Sequence, residues 1–539
     1  MNESAPEPAE IKPATPSPAW LERRGPAGLV LLAIVASGAA LRLYRIGVLP
    51  LWRDEGATVR FARRTFAELW GPRAVLETNP PGYYSLQRLW LVFGESEEAL
   101  RSLSAVLGIA SIGLTYWLAA GLADPAVRRR TGLLAAALFA VAAIQIEYAQ
   151  EARAYGMMTT LALGAMVSLS VLLRHPAAAY HPWWRRRTGE ALLDRKAWPR
   201  MRWVWLSYVV SSLLMLYSHN TAVVPMACIQ VVAFVWWVTA GRRRAGFFWN
   251  WLTANGLVLL GWVWWVPRIM GQAQGQLQKD WWIPEATWRS VWAAFEQIYL
   301  FAHLGRVSGI ATLLGLAVMV LGVFAWRRKP LPLWLCLGFG VGGVLLLFGL
   351  SHWRPMFLTR AVIWTAPAMC VLMAAGLMWL RPVGLRLSVA GVLLLLSVKN
   401  VHSSYALIEK APWDEAAAYL REQDEAGDVV LFIWEPHDTA FDYYYPEAES
   451  PADRLGLVNE VSAEFDASAP MPYFITLERW PYDRLDELMA RYDTVWLVTS
   501  RRLSKWEAQT AVLGTAHSEA KFGRILIREY RETSNEQTQ

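Results

Sequence analysis

The chain has 539 residues, 55% of them apolar, and a formal net charge of +7 at pH 7. It is too long and too oily for one soluble domain. The positive excess follows the apolar half of the chain, which speaks for membrane topology and against a nucleic-acid partner.

In chain order, residues 1–25, MNESAPEPAEIKPATPSPAWLERRG, are rich in Pro, Ala and Glu and read as a disordered cytoplasmic tail. They lack the basic start and small-residue cleavage site of a secretory signal, so the first apolar block is expected to stay. From 26 to 403 the apolar residues fall into blocks of span length, matched to a hydrocarbon core of ~30 Å. Spans are predicted at 26–44, 100–120, 131–148, 155–173, 203–218, 221–240, 247–267, 305–326, 331–350, 361–380 and 384–400. Two more could hide in the long amphipathic segments, which gives eleven to thirteen. Basic clusters at 128–130, 174–202, 241–244 and 327–329, with Arg381 and Arg386, occupy alternate connections. Short loops rich in Lys and Arg remain cytoplasmic. The amino terminus is then cytoplasmic, and the opposite side receives a first outer loop at 45–98, the turns near 151, 219 and 354, and everything from 404 onward. Tryptophans in WWRRR, RWVWL, GWVWWVP and DWWIP sit at span ends, where indole rings anchor to the lipid–water boundary. Cys228, Cys336 and Cys370 all lie inside apolar blocks and read as small buried hydrophobes, with no disulfide framework or metal cluster.

From residue 404 the pattern changes. WDEAAAYLREQDEAGD, YDRLDELMARYD and KWEAQTAVLGTA read as helices, and VVLFIW, TVWLVTS and GRILIRE as strands. That alternation predicts a small α/β domain over 404–539 on the extracytoplasmic side. EPHDTAFDYYYPEAES, acidic and aromatic, reads as a solvated loop.

The polar groups beyond the spans carry the chemistry. Asp54 and Glu55 open ATVRFARRTFAELW, whose spacing predicts a helix lying on the membrane surface. The acid pair is either a helix amino-terminal cap or a catalytic device. In ETNPPGYYSLQRLW the two prolines enforce a rigid turn that fixes Asn79, Tyr83 and Tyr84. QIEYAQEARAYG sets Glu151 and Arg153 between two spans, as a turn-pinning ion pair or as part of a site. YSHN adds His219, a lone histidine at a helix end. SHWRPMFLTRAVIW presents His352, Arg354 and Arg360 on the outer side against the charge rule, and a cation there needs a local anion. Phosphate fits, because a planar guanidinium grips it in bidentate fashion. Arg42, ending the first span, breaks the rule in the same way, although dipole capping accounts for it as well.

LRLYRIG, LWRDE, NPPGYY, QEARAYG, YSHN and PMFLTRAVI, in that order over residues 26–400, resemble the bacterial glycosyltransferases of fold class GT-C. Within that class the resemblance is to the family 39 protein O-mannosyltransferases and the aminoarabinose transferases that modify lipid A. It implies a polytopic helical fold and transfer of a sugar from a polyprenyl-phosphate carrier to a lipid, glycan or protein acceptor, outside a bacterial cytoplasmic (inner) membrane. It implies Asp54 as catalytic base with Glu55 beside it, Glu151 as a second acid, and Arg360 on the carrier phosphate. Arg153, Arg354 and Arg42 join as phosphate contacts, and Asn79, Tyr83, Tyr84 and His219 as substrate contacts. Where the aminoarabinose transferases have lysine before the paired prolines, this chain has Asn79, and a phosphate contact is lost. No P-loop and no dinucleotide fingerprint is present, and no cofactor is implied beyond a divalent cation that Asp54 and Glu151 could hold. A transporter or flippase of polyprenyl-linked cargo is the alternative. It calls for midplane charges or broken spans repeated in two halves, whereas these polar groups gather at one surface.

Overall fold

The computed structural model describes residues 26–71, 79–179, 198–241, 245–270, 283–299, 301–433, 438–458, 478–481, 484–500 and 510–531. The leader 1–25, most of the basic 174–202 segment and residues 505–509 of the helix expected at 505–516 lie outside the described residues; within the rest of that stretch Ala511–Leu513 forms a short 3-10 turn. Helices stand at all eleven positions read as spans. By length and composition eight of them can cross a membrane, and nine if the bent pair 128–140 and 143–150 counts as one. The other two, Trp198–Leu216 and Ala245–Trp262, are as long but carry Arg200 and Arg202, or Asn250 and Asn255. The amphipathic segments form α2 (Arg53–Ala62), α3 (Phe66–Trp70), α4 (Gly82–Trp90) and the Trp288–Tyr299 helix. At 1.5 Å per residue none of these reaches across a bilayer, so the described residues supply no twelfth span.

Burial grades the bundle. The 359–379 span is 94% buried and α8 (Tyr155–Arg174) 72%, whereas α1 (Pro26–Leu43) is 11% and the 383–407 span 17% buried. A helix apolar all round belongs either inside a bundle or against lipid, and these are the two outcomes. The central span is gripped closely: a Cβ on Gly376 would stand 2.0 Å from the Val318 carbonyl oxygen, so only glycine permits that approach. α5 (Glu97–Leu122) packs beside α6 (Arg128–Ala140) and α8. α6 and α7 (Ala143–Glu147) meet at a 65° bend. The bend strands carbonyls at the end of α6, and Arg42 answers them from α1, donating to Ala140 O at 3.0 Å, Phe139 O at 3.5 Å and its own Gly38 O at 3.0 Å. Gln150 Nε2 likewise donates to Tyr44 O at 2.6 Å and Arg42 O at 3.2 Å, closing the end of α1.

The tail forms a six-stranded sheet in the order β3-β2-β1-β4-β6-β5. β1 (Val429–Ile433), β2 (Asp453–Val458), β3 (Glu478–Pro481) and β4 (Thr494–Thr499) run parallel, and β6 (Ile525–Arg531) and β5 (Ser518–Phe522) close it antiparallel. β1 and β4 are buried throughout, as central parallel strands are. One correction concerns the acidic, aromatic stretch read as a solvated loop. Asp438–Tyr444 is a helix in the β1–β2 crossover, because Ala440, Phe441 and Tyr445 cover the sheet. Its other side lies on α2.

Candidate active site

The site is built around the first turn of α2, whose amino end favours negative charge. Asp54 and Glu55 leave a helix roughly 100° apart, and that angle sends them into different surroundings. Glu55 is fully buried. Its Oε1 accepts from Arg101 Nε at 2.8 Å and the Ala152 N–H at 2.9 Å; its Oε2 accepts from Arg101 Nη2 at 2.9 Å and Lys410 Nζ at 2.7 Å. Burial alone would raise this carboxyl, but the Lys410 and Arg101 cations outweigh it and hold it down at about 2. Arg101 then ties down the entry to α2, donating to Ile46 O at 2.8 Å, Leu49 O at 2.7 Å and Pro50 O at 3.0 Å.

Asp54 has looser company. Arg53 Nε donates to its Oδ1 at 2.9 Å, while Arg360 Nη1 and Arg153 Nη2 stand 3.8 and 3.9 Å from its Oδ2, ion pairs beyond hydrogen-bond length. Burial pushes the Asp54 carboxyl up, and the guanidiniums of Arg153, Arg53 and Arg360 overcome it and keep it below the ordinary carboxylate value. The fold explains why these two arginines converge. Arg153 lies two residues before α8 and Arg360 opens the 359–379 span, so both stand at the ends of the two most buried spans. Arg153 is fixed by Nη1 bonds to Asp54 O at 3.0 Å and Thr58 Oγ1 at 3.3 Å. Arg360 lies over the rings of Trp52 and Tyr155.

Glu151 sits beside this pair. Its Oε1 is 4.0 Å from Lys410 Nζ, and its Oε2 is buried with no hydrogen-bond donor. Burial raises its carboxyl to about 7, with Lys410 pulling it down in part and Glu55 and Glu147 pushing it up. His219 Nδ1 accepts from the Thr221 N–H at 3.1 Å and its ring packs on Tyr155. Burial, with Arg153 and Arg360 nearby, lowers it to about 3, so the imidazole is neutral. Tyr83 is tied to Ser104 Oγ at 3.0 Å and burial raises its hydroxyl far above the ordinary value. Tyr84 packs on Phe61 with the rings tilted at 35°, and Asn79 is buried. Thus Asp54, Glu151, Arg153, Arg360 and His219 come together. Arg42 is turned into the bundle, and Arg354 lies half-buried on the turn before Arg360.

No protein-family model matches the chain, and no curated protein sequence matches it. Solved structures do. ArnT from Cupriavidus metallidurans in the apo state superposes with a TM-score of 0.63 at 13% identity, over 94% of this chain and 98% of that one. The same protein bound to undecaprenyl phosphate gives 0.58 at 13% identity, over 94% and 99%. The chain has a GT-C fold. The oligosaccharyltransferase AglB from Archaeoglobus fulgidus, in complex with an inhibitory peptide and a dolichol-phosphate, gives 0.50 at 11% identity, over 90% of this chain and 71% of that one.

Two groups of this site escaped the sequence reading. Arg101 had a signal, since a lone arginine inside an apolar span is a functional candidate by default. Lys410, in IEKAPW, had none. A structure of the Archaeoglobus oligosaccharyltransferase was solved with zinc and sulfate. Among the described residues here, no group of three His, Cys, Asp or Glu side chains could hold a metal ion. Three guanidiniums surround Asp54, and the Lys410 ammonium stands 4.0 Å from Glu151.

Proposed function

We propose that the chain is an integral glycosyltransferase of the bacterial cytoplasmic membrane. It takes a sugar from a polyprenyl-phosphate carrier to an acceptor hydroxyl on a lipid, glycan or protein at the extracytoplasmic face. The observation that carries this reading is the Asp54 face: one carboxylate met by Arg153 and Arg360 at 3.9 and 3.8 Å, in contact but not hydrogen-bonded. Undecaprenyl phosphate and dolichol-phosphate in the ArnT and AglB structures support the class of carrier. For orientation, the basic clusters in alternate connections of the sequence suit the cytoplasm, which supports an amino terminus there and a tail outside.

In the reaction, the acceptor hydroxyl gives its proton to the Asp54 carboxylate as its oxygen bonds to the anomeric carbon. The bond from that carbon to the phosphate oxygen breaks, and the electron pair leaves on the carrier phosphate. Arg153 and Arg360 bind the charge that develops there, in surroundings from which lipid and protein exclude water. The loose pairs also prime the base. As the donor phosphate draws the two guanidiniums to itself, Asp54 loses the cations that depress it and becomes a stronger base. Glu151 orients a sugar or acceptor hydroxyl, Asn79 and His219 contact substrate, and Arg354 contacts the carrier. Tyr83, Tyr84 and Glu55 hold the frame, and Arg42 serves the bend of α6 and α7.

Purified protein in vesicles, offered a panel of polyprenyl-phosphate sugars, should release carrier phosphate from at least one donor in step with acceptor glycosylation. Movement of labelled carrier-linked sugar across the bilayer with no phosphate release from any donor would overturn the reading in favour of a transporter.

A further inference from the structure

The last span ends at Leu407 and the first tail helix begins at Trp413. Lys410 lies on the short linker between them, and its ammonium reaches back to the start of the chain. It stands 2.7 Å from Glu55 Oε2 and 4.0 Å from Glu151 Oε1. Arg101, the other cation on Glu55, has all five N–H groups engaged by Glu55 and the 46–50 carbonyls, so it cannot turn to Glu151. Lys410 has room to turn. A cavity of about 60 Å³ adjoins it, lined among others by Glu147, Gln150, Glu151 and Tyr405. Glu151 Oε2 is buried there without a donor.

We propose that Lys410 is a positioning residue for the transfer site, sharing one ammonium between Glu55 and Glu151 and so coupling the tail linker to the seat of α2. This rests on the glycosyltransferase reading. Several groups face Glu151: Lys410 from the linker, Glu55 from α2, Glu147 from α7, Arg360 from the 359–379 span, Arg101 from α5, and the hydroxyls of Tyr83 and Tyr148. Of the cations Lys410 acts on it most strongly, and it is the one carried by the linker to the tail.

The test uses the full chain in vesicles with Lys410→Met, Lys410→Arg and, should the first not fold, Lys410→Gln. The neutral variant should lose at least about tenfold in kcat with the donor KM within about threefold, a loss confined to the transition state. Its acid limb should move to higher pH by about one unit, because a cation that favours the Glu151 carboxylate is gone. Lys410→Arg should restore both rate and limb. Amides of α2 should exchange hydrogen faster in the neutral variant. A wild-type rate and limb in Lys410→Met overturns the proposal. So does a rate loss with an unmoved limb that arginine does not rescue, which would mark a merely structural lysine. If the wild type transfers nothing from any donor, the glycosyltransferase reading fails by itself. Hydrogen exchange then decides alone, and unchanged α2 protection in Lys410→Met overturns the coupling.

Discussion

The two faces of the α2 amino terminus hold carboxylates that are neighbours in sequence and opposites in design. Glu55 is fully buried and takes four hydrogen bonds of 2.7–2.9 Å from Arg101, Lys410 and Ala152. Asp54 keeps 13% of its side-chain surface, and two of its three arginines stop short of hydrogen bonding. With Arg101 bonded to both its oxygens, Glu55 cannot exchange that guanidinium for an arriving anion without leaving a buried charge uncompensated, so the pair fixes a backbone. A loosely paired carboxylate can exchange its cations for an arriving anion. The difference teaches that bond completeness, more than residue type, separates the fixed acid from the exchangeable one.

The largest expected effect tests the loose side. Asp54→Asn keeps the shape and removes the proposed base, so transfer should fall by about 10²–10⁴-fold while the melting temperature stays near that of the wild type. Retained turnover would remove Asp54 from the step. The saturated side should respond the other way round. Arg101→Met leaves Glu55 buried with Lys410 alone, and loss of one partner of a buried pair costs about 3–5 kcal/mol. Thermal unfolding in detergent should show a large drop, with activity lost only because the fold is lost. A stable Arg101→Met protein would break the comparison.

The contact between the two halves of the molecule is narrower. Gly56 packs against the 438–444 helix so closely that a Cβ would lie 2.3 Å from the Thr439 carbonyl oxygen. Around it Thr439 Oγ1 donates to Arg53 O at 2.9 Å, and the Leu51 N–H donates to Tyr444 Oη at 2.6 Å. Gly56→Ala should cost about 1–3 kcal/mol through overpacking. Faster hydrogen exchange in 438–444 than in β1 would locate the damage at that contact, whereas uniform loosening would place it elsewhere.

Much of this frame was legible in the chain. Block length gave the spans because a bilayer sets a minimum length for them, and outer-side arginines drew attention to 360 because they break a topology rule. The gathering of 54, 151, 153 and 360 was anticipated from their shared side. What the sequence hid was direction. Asp54 and Glu55 look alike as letters, and only a helix turn separates their roles. Lys410 meets Glu55 across 355 positions with no local pattern to announce it. In the tail, β2 (DRLGLV) was missed because glycine weakens a strand signal, and β5 (SEAKF) because an edge strand alternates with charge.

Acid and base titrations should also separate Glu55 from Glu151. Glu55 lies well below its ordinary value when folded. Its stabilisation is therefore present above about pH 4.5 and is lost as pH falls toward about 2. Glu151 is raised to about 7, so its contribution is present below about pH 4.5 and is lost as pH rises through 7. Glu151→Gln should therefore melt higher than the wild type at pH 8, by on the order of 2 kcal/mol, and about equally at pH 5. Equal melting at both would mean that Glu151 is not strained by burial.

The smallest effect lies on the outward face of α2, away from both acids. Arg63 pairs with Glu95 at 2.7 Å, each 44% exposed, on the wall of a cavity of about 400 Å³ between α2 and the 438–444 helix. Exposed pairs contribute about 0–1 kcal/mol, because water screens them and long side chains lose entropy in forming them. Arg63→Gln should leave melting and donor turnover within measurement error. If instead acceptor KM rises tenfold while donor KM holds, that cavity belongs to the acceptor, and the outward face of α2 would carry chemistry that its exposed, replaceable ion pair gives no sign of.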